Sequence, residues 1–221
     1  MIVDTPSLQT AIVEYLARDQ DTVLIARVPT FIQLFEAKMN RDLFVRQMEI
    51  RTQAVTDPAQ TAEPEFVALP PDFQTMRRIR MTSATGKPPL NYITPTQMDE
   101  YRYERQDTSG CPRFFTIFGN EIELFPSPDS AVTLEMIYRQ NLPALSANTS
   151  NWLLTLAPDA YLYGSLMESA PYIKEDNRIT VWGAGLTSAL TDLNSLGRNS
   201  TFNAGPLQVR VHGGHNGNFR R

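Results

Sequence analysis

Apolar residues recur at helical spacing at both ends of this chain and alternate with polar ones in its middle. Leu8, Ile12, Tyr15 and Leu16 share one helical face behind Thr5, a plausible N-cap, and Pro6, a residue suited to the first helical position. That pattern predicts a helix ending near Arg18 to Asp21. Pro29 fits the start of a second helix, with Ile32, Phe35 and Met39 on one face and Glu36, Lys38 and Arg41 mostly off it. The pattern continues through Phe44 and Met48 to Ile50, and a connection of about ten residues predicts an antiparallel helical hairpin.

The middle of the chain reads as β structure. From Thr52 to Glu65 the residues are polar, and Pro58 and Pro64 oppose helix. Phe66 to Leu69 makes a short apolar run, and Met76 to Met81 alternates as a half-buried strand does. Thr94-Pro95 opens a short helix carrying Met98 and Tyr101, and the polar run Glu104 to Gly110 predicts an exposed loop. Arg113–Phe118 and Glu121–Phe125 flank Gly119-Asn120, the strongest hairpin signal in the chain. Val132 to Tyr138 gives a third strand, whose Leu134, Met136 and Tyr138 can share a core with Ile122 and Leu124, so a meander is expected.

Pro143 to Met167 joins this middle to the helical end. Pro158 suits a first helical position and Asp159 complements the helix dipole. Tyr161, Leu162, Tyr163, Leu166 and Met167 then spread apolar surface nearly all round the helix, which must be covered by this chain or another copy. Pro171 should kink or break that helix. A last helix is predicted from about Asp176 to Leu196, with Ile179, Trp182, Leu186, Leu190 and Leu193 in step and Gly197 as its stop. The expected fold class is α+β: a helical bundle of N- and C-terminal helices, an inserted antiparallel β domain and an extended C-terminal tail. The expected units are residues 1–51, 52–142, 143–197 and 198–221.

Charge sharpens the last of these boundaries. Net charge is −4, yet no acidic residue follows Asp192 while Arg198, Arg210, Arg220 and Arg221 do, so the tail is +4 and the body −8. An acidic body does not suit a nucleic-acid reader, whereas a basic tail suits docking on an acidic partner. Apolar runs are too short to span a membrane, and Met1 to Pro6 lacks the features of a secretory signal. Chemistry is sparse. His212 and His215 fall short of the ligands zinc requires, and Cys111 has no histidine beside it. Glu121 and Glu123 share one strand face as a solvated pair, and Gly183-Ala184-Gly185 lacks a phosphate loop's lysine. No catalytic, cofactor or metal site is expected, and the aromatic residues Tyr161, Tyr163 and Trp182 read as core or interface.

Several stretches, in order and spacing, resemble the head–tail connector (adaptor) proteins of tailed bacteriophages. They are Val28 to Leu43, Leu69-Pro70-Pro71-Asp72-Phe73, Pro112 to Phe115, Gly119 to Ile122, Phe125 to Asp129, Asn151 to Leu154 and Ala157 to Leu166. The resemblance spans residues 5 to 196. It implies a non-enzymatic virion protein of the neck, assembled in the host cytoplasm as a homo-oligomeric ring, expected to be a dodecamer. Its partners would be the portal ring, a tail or nozzle protein, and double-stranded DNA that passes through the channel without specific binding. A portal-gripping tail would use Phe202, Val209, Arg210, Val211, Phe219, Arg220 and Arg221, and Trp152, Tyr161, Tyr163 and Trp182 would serve the subunit interface. The alternatives are a tail-tube or gatekeeper ring one layer lower, or a carbohydrate-binding β module with Tyr92, Tyr101, Tyr103 or Phe114 exposed on one sheet face.

Overall fold

The computed structural model describes residues 1–82, 89–104, 109–173 and 177–201. Helix α1 (Thr5–Leu16) is capped one residue earlier than expected: the Asp4 carboxylate accepts from Ser7 N–H, and the Ser7 hydroxyl accepts from Asp4 N–H. Asp outranks Thr at this position because its carboxylate also meets the positive helix end. Ala17 then turns left-handed, at φ 53°, and stops the helix. Helix α2 (Thr22–Asp42) begins seven residues before Pro29, because Asp21 supplies the cap by accepting from Leu24 N–H at 3.0 Å. Pro29 lies inside the helix on its exposed side, where it leaves one carbonyl without its helical partner, while Val28 and Phe31 keep the apolar stripe buried past it.

Helix α2 does not continue to Ile50. It ends at Asp42, a 3₁₀ turn spans Arg46–Met48, and strand β1 (Glu49–Thr56) follows. The start of the stretch read as a polar connection, Thr52 to Thr56, is therefore strand, polar because it lies at a sheet edge with one open face. Strands β2 (Phe66–Ala68) and β3 (Phe73–Met81) agree with the alternation, as does the hairpin of β5 (Phe114–Phe118) and β6 (Glu121–Phe125) about Gly119, whose φ is 59°. Two short elements, β4 (Asn91–Tyr92) and α3 (Pro95–Glu104), precede the hairpin.

The expected meander is not formed. Strand β7 (Val132–Gln140) leaves the hairpin and lies between β1 and β3 in a sheet of order β1-β7-β3, while the hairpin belongs to a second sheet of order β2-β6-β5-β4. The second sheet is mixed, since β4 runs parallel to β5. The two sheets face each other across one core. Ile79, Met81, Leu134, Met136 and Tyr138 of the first meet Val67, Phe115, Ile122 and Leu124 of the second. Ile122 and Leu124 thus share a core with β7 as the alternation required, but across the sandwich rather than along one sheet. Helix α3 covers the outer face of the second sheet, with Tyr101 stacked on Phe114 at 5.0 Å and Met98 beside Phe125.

After β7 come α4 (Trp152–Leu156), α5 (Pro158–Ile173) and α6 (Ile179–Thr201). Pro171 does not divide α5, because only two residues follow it in the helix and little hydrogen bonding is lost. Gly197 does not stop α6, which continues to Thr201; one glycine costs a helix only about 1 kcal/mol. Helices α1, α2, α4 and α6 all pack on α5, and together with residues 43–48 and 142–145 they enclose a second core. The cover that α5 requires comes from its own chain.

Two glycines make that packing possible. A Cβ on Gly164 would fall 2.1 Å from the buried Phe35 ring of α2, and one on Gly185 would fall 2.8 Å from the Tyr163 ring. In both places a ring fills the space that a side chain on the helix would need.

Candidate assembly site

Two buried polar clamps fasten α2 to the chain that leaves the first sheet. Ile32, Phe35, Glu36 and Met39 fall at i, i+3, i+4 and i+7 on α2, so Glu36 lies within the buried stripe and not off it, at 5% exposed. Its Oε1 accepts from Leu145 N–H at 2.9 Å and from the Tyr161 hydroxyl at 3.0 Å. Asn151 Nδ2 donates to the Tyr161 oxygen at 2.6 Å and to Pro143 O at 2.8 Å, while its Oδ1 caps α4 through Leu154 N–H. One carboxylate and one amide therefore hold the chain from residue 143 to residue 161 against α2. Burial raises the Glu36 carboxyl above its ordinary pKa, although the Leu145 and Tyr161 donors oppose the shift. Burial likewise raises the Tyr161 phenol.

A second clamp lies at the end of α2. Arg139 Nη2 donates to the carbonyls of Asn40 at 2.9 Å and Leu43 at 2.6 Å, which are the orphan acceptors of a helix C-terminus. Its guanidinium also lies 3.7 Å from the centre of the Phe44 ring, and Asn40 Oδ1 accepts from Leu142 N–H at 2.7 Å. Strand β7 is thereby fastened to α2 just where the chain passes from sheet to helices.

Both clamps are arranged to hold shape. A raised carboxyl pKa is a feature acid–base groups share, but the partners of Glu36 are a backbone amide and a tyrosine of the same core. The cleft of about 450 Å³ lined by Met81, Pro89, Cys111, Arg113 and Phe114 lies elsewhere, in the β region. There Cys111 Sγ sits 3.7 Å from Met81 Sδ, a contact that supplies no base. Among the described residues no group of three or more His, Cys, Asp or Glu could hold a metal ion.

The four aromatic residues proposed for the subunit interface all pack on the helical core. Tyr161 is wholly buried, and Trp182 is 3% exposed with the Arg178 guanidinium 5.1 Å above its ring. Trp152 and Tyr163 are half-buried, and the Trp152 indole N–H is buried without a partner among the described residues. The tail residues Phe202, Val209, Arg210, Val211, Phe219, Arg220 and Arg221 lie outside the described residues. The aromatic residues a sugar platform would need are divided. Phe114 and Tyr101 stack beneath α3, Tyr92 packs edge-on against Phe115 on the other sheet face, and Tyr103 projects from α3. Glu36 and Arg139 escaped the sequence reading. The stripe spacing marks Glu36, whereas nothing local marks Arg139, whose acceptors are nearly a hundred residues away.

The family model described as SU10 adaptor protein matches residues 5–210. The chain belongs to this family. The match begins at the first residue of α1, runs through every helix and strand and passes beyond the end of α6. The SU10 adaptor family is a phage head–tail adaptor family, so the resemblance found in the sequence is to the right class of virion protein, and the chain's role is that of a structural adaptor of the neck. Among curated proteins no match was found.

Proposed function

We propose that this adaptor assembles as a homo-oligomeric ring, twelve-fold, beneath the portal, where it extends the DNA channel and presents the attachment site for the tail. The observation that carries the reading is the family match over nearly the whole chain. A core fastened for rigidity and a sharp charge division between body and tail support it. Residues 202–221 form the portal-gripping segment, with Phe202, Val209, Val211 and Phe219 as apolar anchors and Arg210, Arg220 and Arg221 as cations for an acidic surface. Trp152 and Tyr163 offer their exposed edges to a neighbouring copy. Tyr161 and Trp182 serve that interface from within, by holding α5 and α6 in place. An acidic body around the channel lets duplex DNA slide without sticking.

Removal of residues 202–221 tests the portal contact while leaving α6 entire. The truncated chain should keep its fold by circular dichroism and lose co-sedimentation with portal rings. Undiminished attachment would show that the portal grip lies elsewhere.

A further inference from the structure

The two outer faces of the β sandwich carry opposite charge. The charged residues of the first sheet are Arg51, Arg77, Arg78, Arg80 and Arg139 against Glu49 and Glu135. The register puts Glu49, Arg51, Arg78, Arg80, Glu135 and Arg139 on one face, opposite the face bearing Ile79, Met136 and Tyr138. Glu135 lies at the centre, 1% exposed, beneath three guanidinium groups. Arg80 meets it in a two-pronged contact at 2.6 and 3.0 Å, Arg51 at 2.8 Å and Arg78 at 3.7 Å. One carboxylate cannot neutralise three cations, and the Arg51, Arg78 and Arg80 side chains remain 63, 47 and 45% exposed. Arg139 is already occupied by the end of α2.

On the other side, the charged residues of the second sheet and α3 are Asp99, Glu100, Glu104, Glu121 and Glu123 against Arg102, which pairs with Glu123. Phe118 lies beside Glu121 on the outer face at 74% exposed, and Phe66 at 36% lies opposite Glu123. An exposed aromatic residue within an acidic rim is the composition of a binding patch.

We propose that the arginine face of one copy docks on the acidic, Phe118-bearing face of the next, so that the β sandwiches form a continuous head-to-tail belt. The two patches differ and lie on opposite sides of one rigid body. Their contact is therefore heterologous, which does not stop at a dimer and makes a ring when the rotation between successive copies closes. Complementary charge also sets the order of copies and speeds their encounter. A second copy fits the arginine face better than DNA phosphate does, because the same chain supplies the matching carboxylates and an apolar anchor. This inference rests on the ring reading above and names the surfaces that make the ring.

The test is a pair of full-length variants. One carries Asp99→Arg, Glu100→Arg and Glu121→Arg, giving two basic faces; the other carries Arg51→Glu and Arg78→Glu, giving two acidic faces. Each alone should lose the assembled species in sedimentation velocity, with and without portal. An equimolar mixture should regain it, because alternating copies again pair unlike faces. Rescue by mixing cannot come from misfolded chains. Wild-type assembly should also weaken as salt rises. If both variants assemble alone as wild type does, the face-to-face docking is wrong while the ring stands. If the acidic variant assembles normally and loses only duplex DNA binding, the arginines serve phosphate and the proposal falls. A wild-type chain that stays monomeric even with portal overturns the ring itself.

Discussion

The helical and β regions each hold a buried carboxylate, one inside the helical core and one on the outer face of the first sheet, and the two are held in opposite ways. Glu36, among the helices, is met by neutral donors, the Leu145 amide and the Tyr161 hydroxyl, and burial pushes its pKa up. Glu135, on the first sheet, is met by three arginines, with the Arg80 hydrogen bond the chief cause of its lowered pKa. The same contrast separates two tyrosines. Tyr161 is fully inside, donating to Glu36 and accepting from Asn151, whereas Tyr138 donates at 2.8 Å to Asp72, which is half-exposed. The helical region uses buried polar groups to fix how its parts fit, and the β region uses charge at its surface. A buried network closed by hydrogen bonds specifies shape, while an incompletely neutralised cluster of charges remains attractive to a partner.

The tyrosines offer the largest test of this contrast. Tyr161→Phe removes one hydrogen bond each from the buried Glu36 carboxylate and the buried Asn151 amide and should cost about 1–3 kcal/mol by urea unfolding. Tyr138→Phe leaves Asp72 access to water and should cost about 0.5–1.5 kcal/mol. Equal losses would mean that the two networks are buried alike. Next is Gly164→Ala. Overpacking against the fixed Phe35 ring costs about 1–3 kcal/mol and better helix propensity returns about 1, so a net loss of up to about 2 kcal/mol is expected. Gly185→Ala should lose less, since the half-buried Tyr163 ring can turn aside.

The smallest effects are in pH. An acid whose folded pKa is raised holds its proton more tightly when folded, so the Glu36 contribution declines as pH rises from about 4.3 towards the raised value. The lowered pKa of Glu135 gives the reverse: its contribution is complete above about 4.3 and is lost as pH falls through the lowered value. Melting temperatures between about pH 3 and about pH 7 should show both limbs. Glu36→Gln should remove the upper limb and Glu135→Gln the acid one, and a profile unchanged by either substitution would contradict these environments. Tyr138, pushed up to about 12 chiefly by burial, should stay protonated throughout.

Much of this was legible in the residues. The 3.6-residue stripes of α1, α5 and α6, the Gly119-Asn120 hairpin and the apolar faces of β6 and β7 reflect local steric and solvation preferences that each segment carries with it. Strand β1 was hidden because an edge strand need not be apolar on both faces. The start of α2 was hidden because Asp21 is a good cap but Pro29 a more conspicuous one. Of the candidate site, the aromatic residues were visible and their neighbours were not. Trp182 announces itself as core, but neither Arg139 on the carbonyls of Asn40 and Leu43 nor Glu135 beneath three arginines has a local signature.

Residue order alone is enough to make this chain α+β, to set a basic tail on an acidic body, and to carry the resemblance to phage adaptors. Those properties sum over residues taken singly or in short windows. The three-dimensional packing sets the rest: β7 crosses to the other sheet, α5 is covered by its own chain, and arginines predominate on one outer face of the sandwich while carboxylates predominate on the other. Each depends on which distant segments meet, and that is settled by the joint packing of two cores rather than by any one stretch of chain.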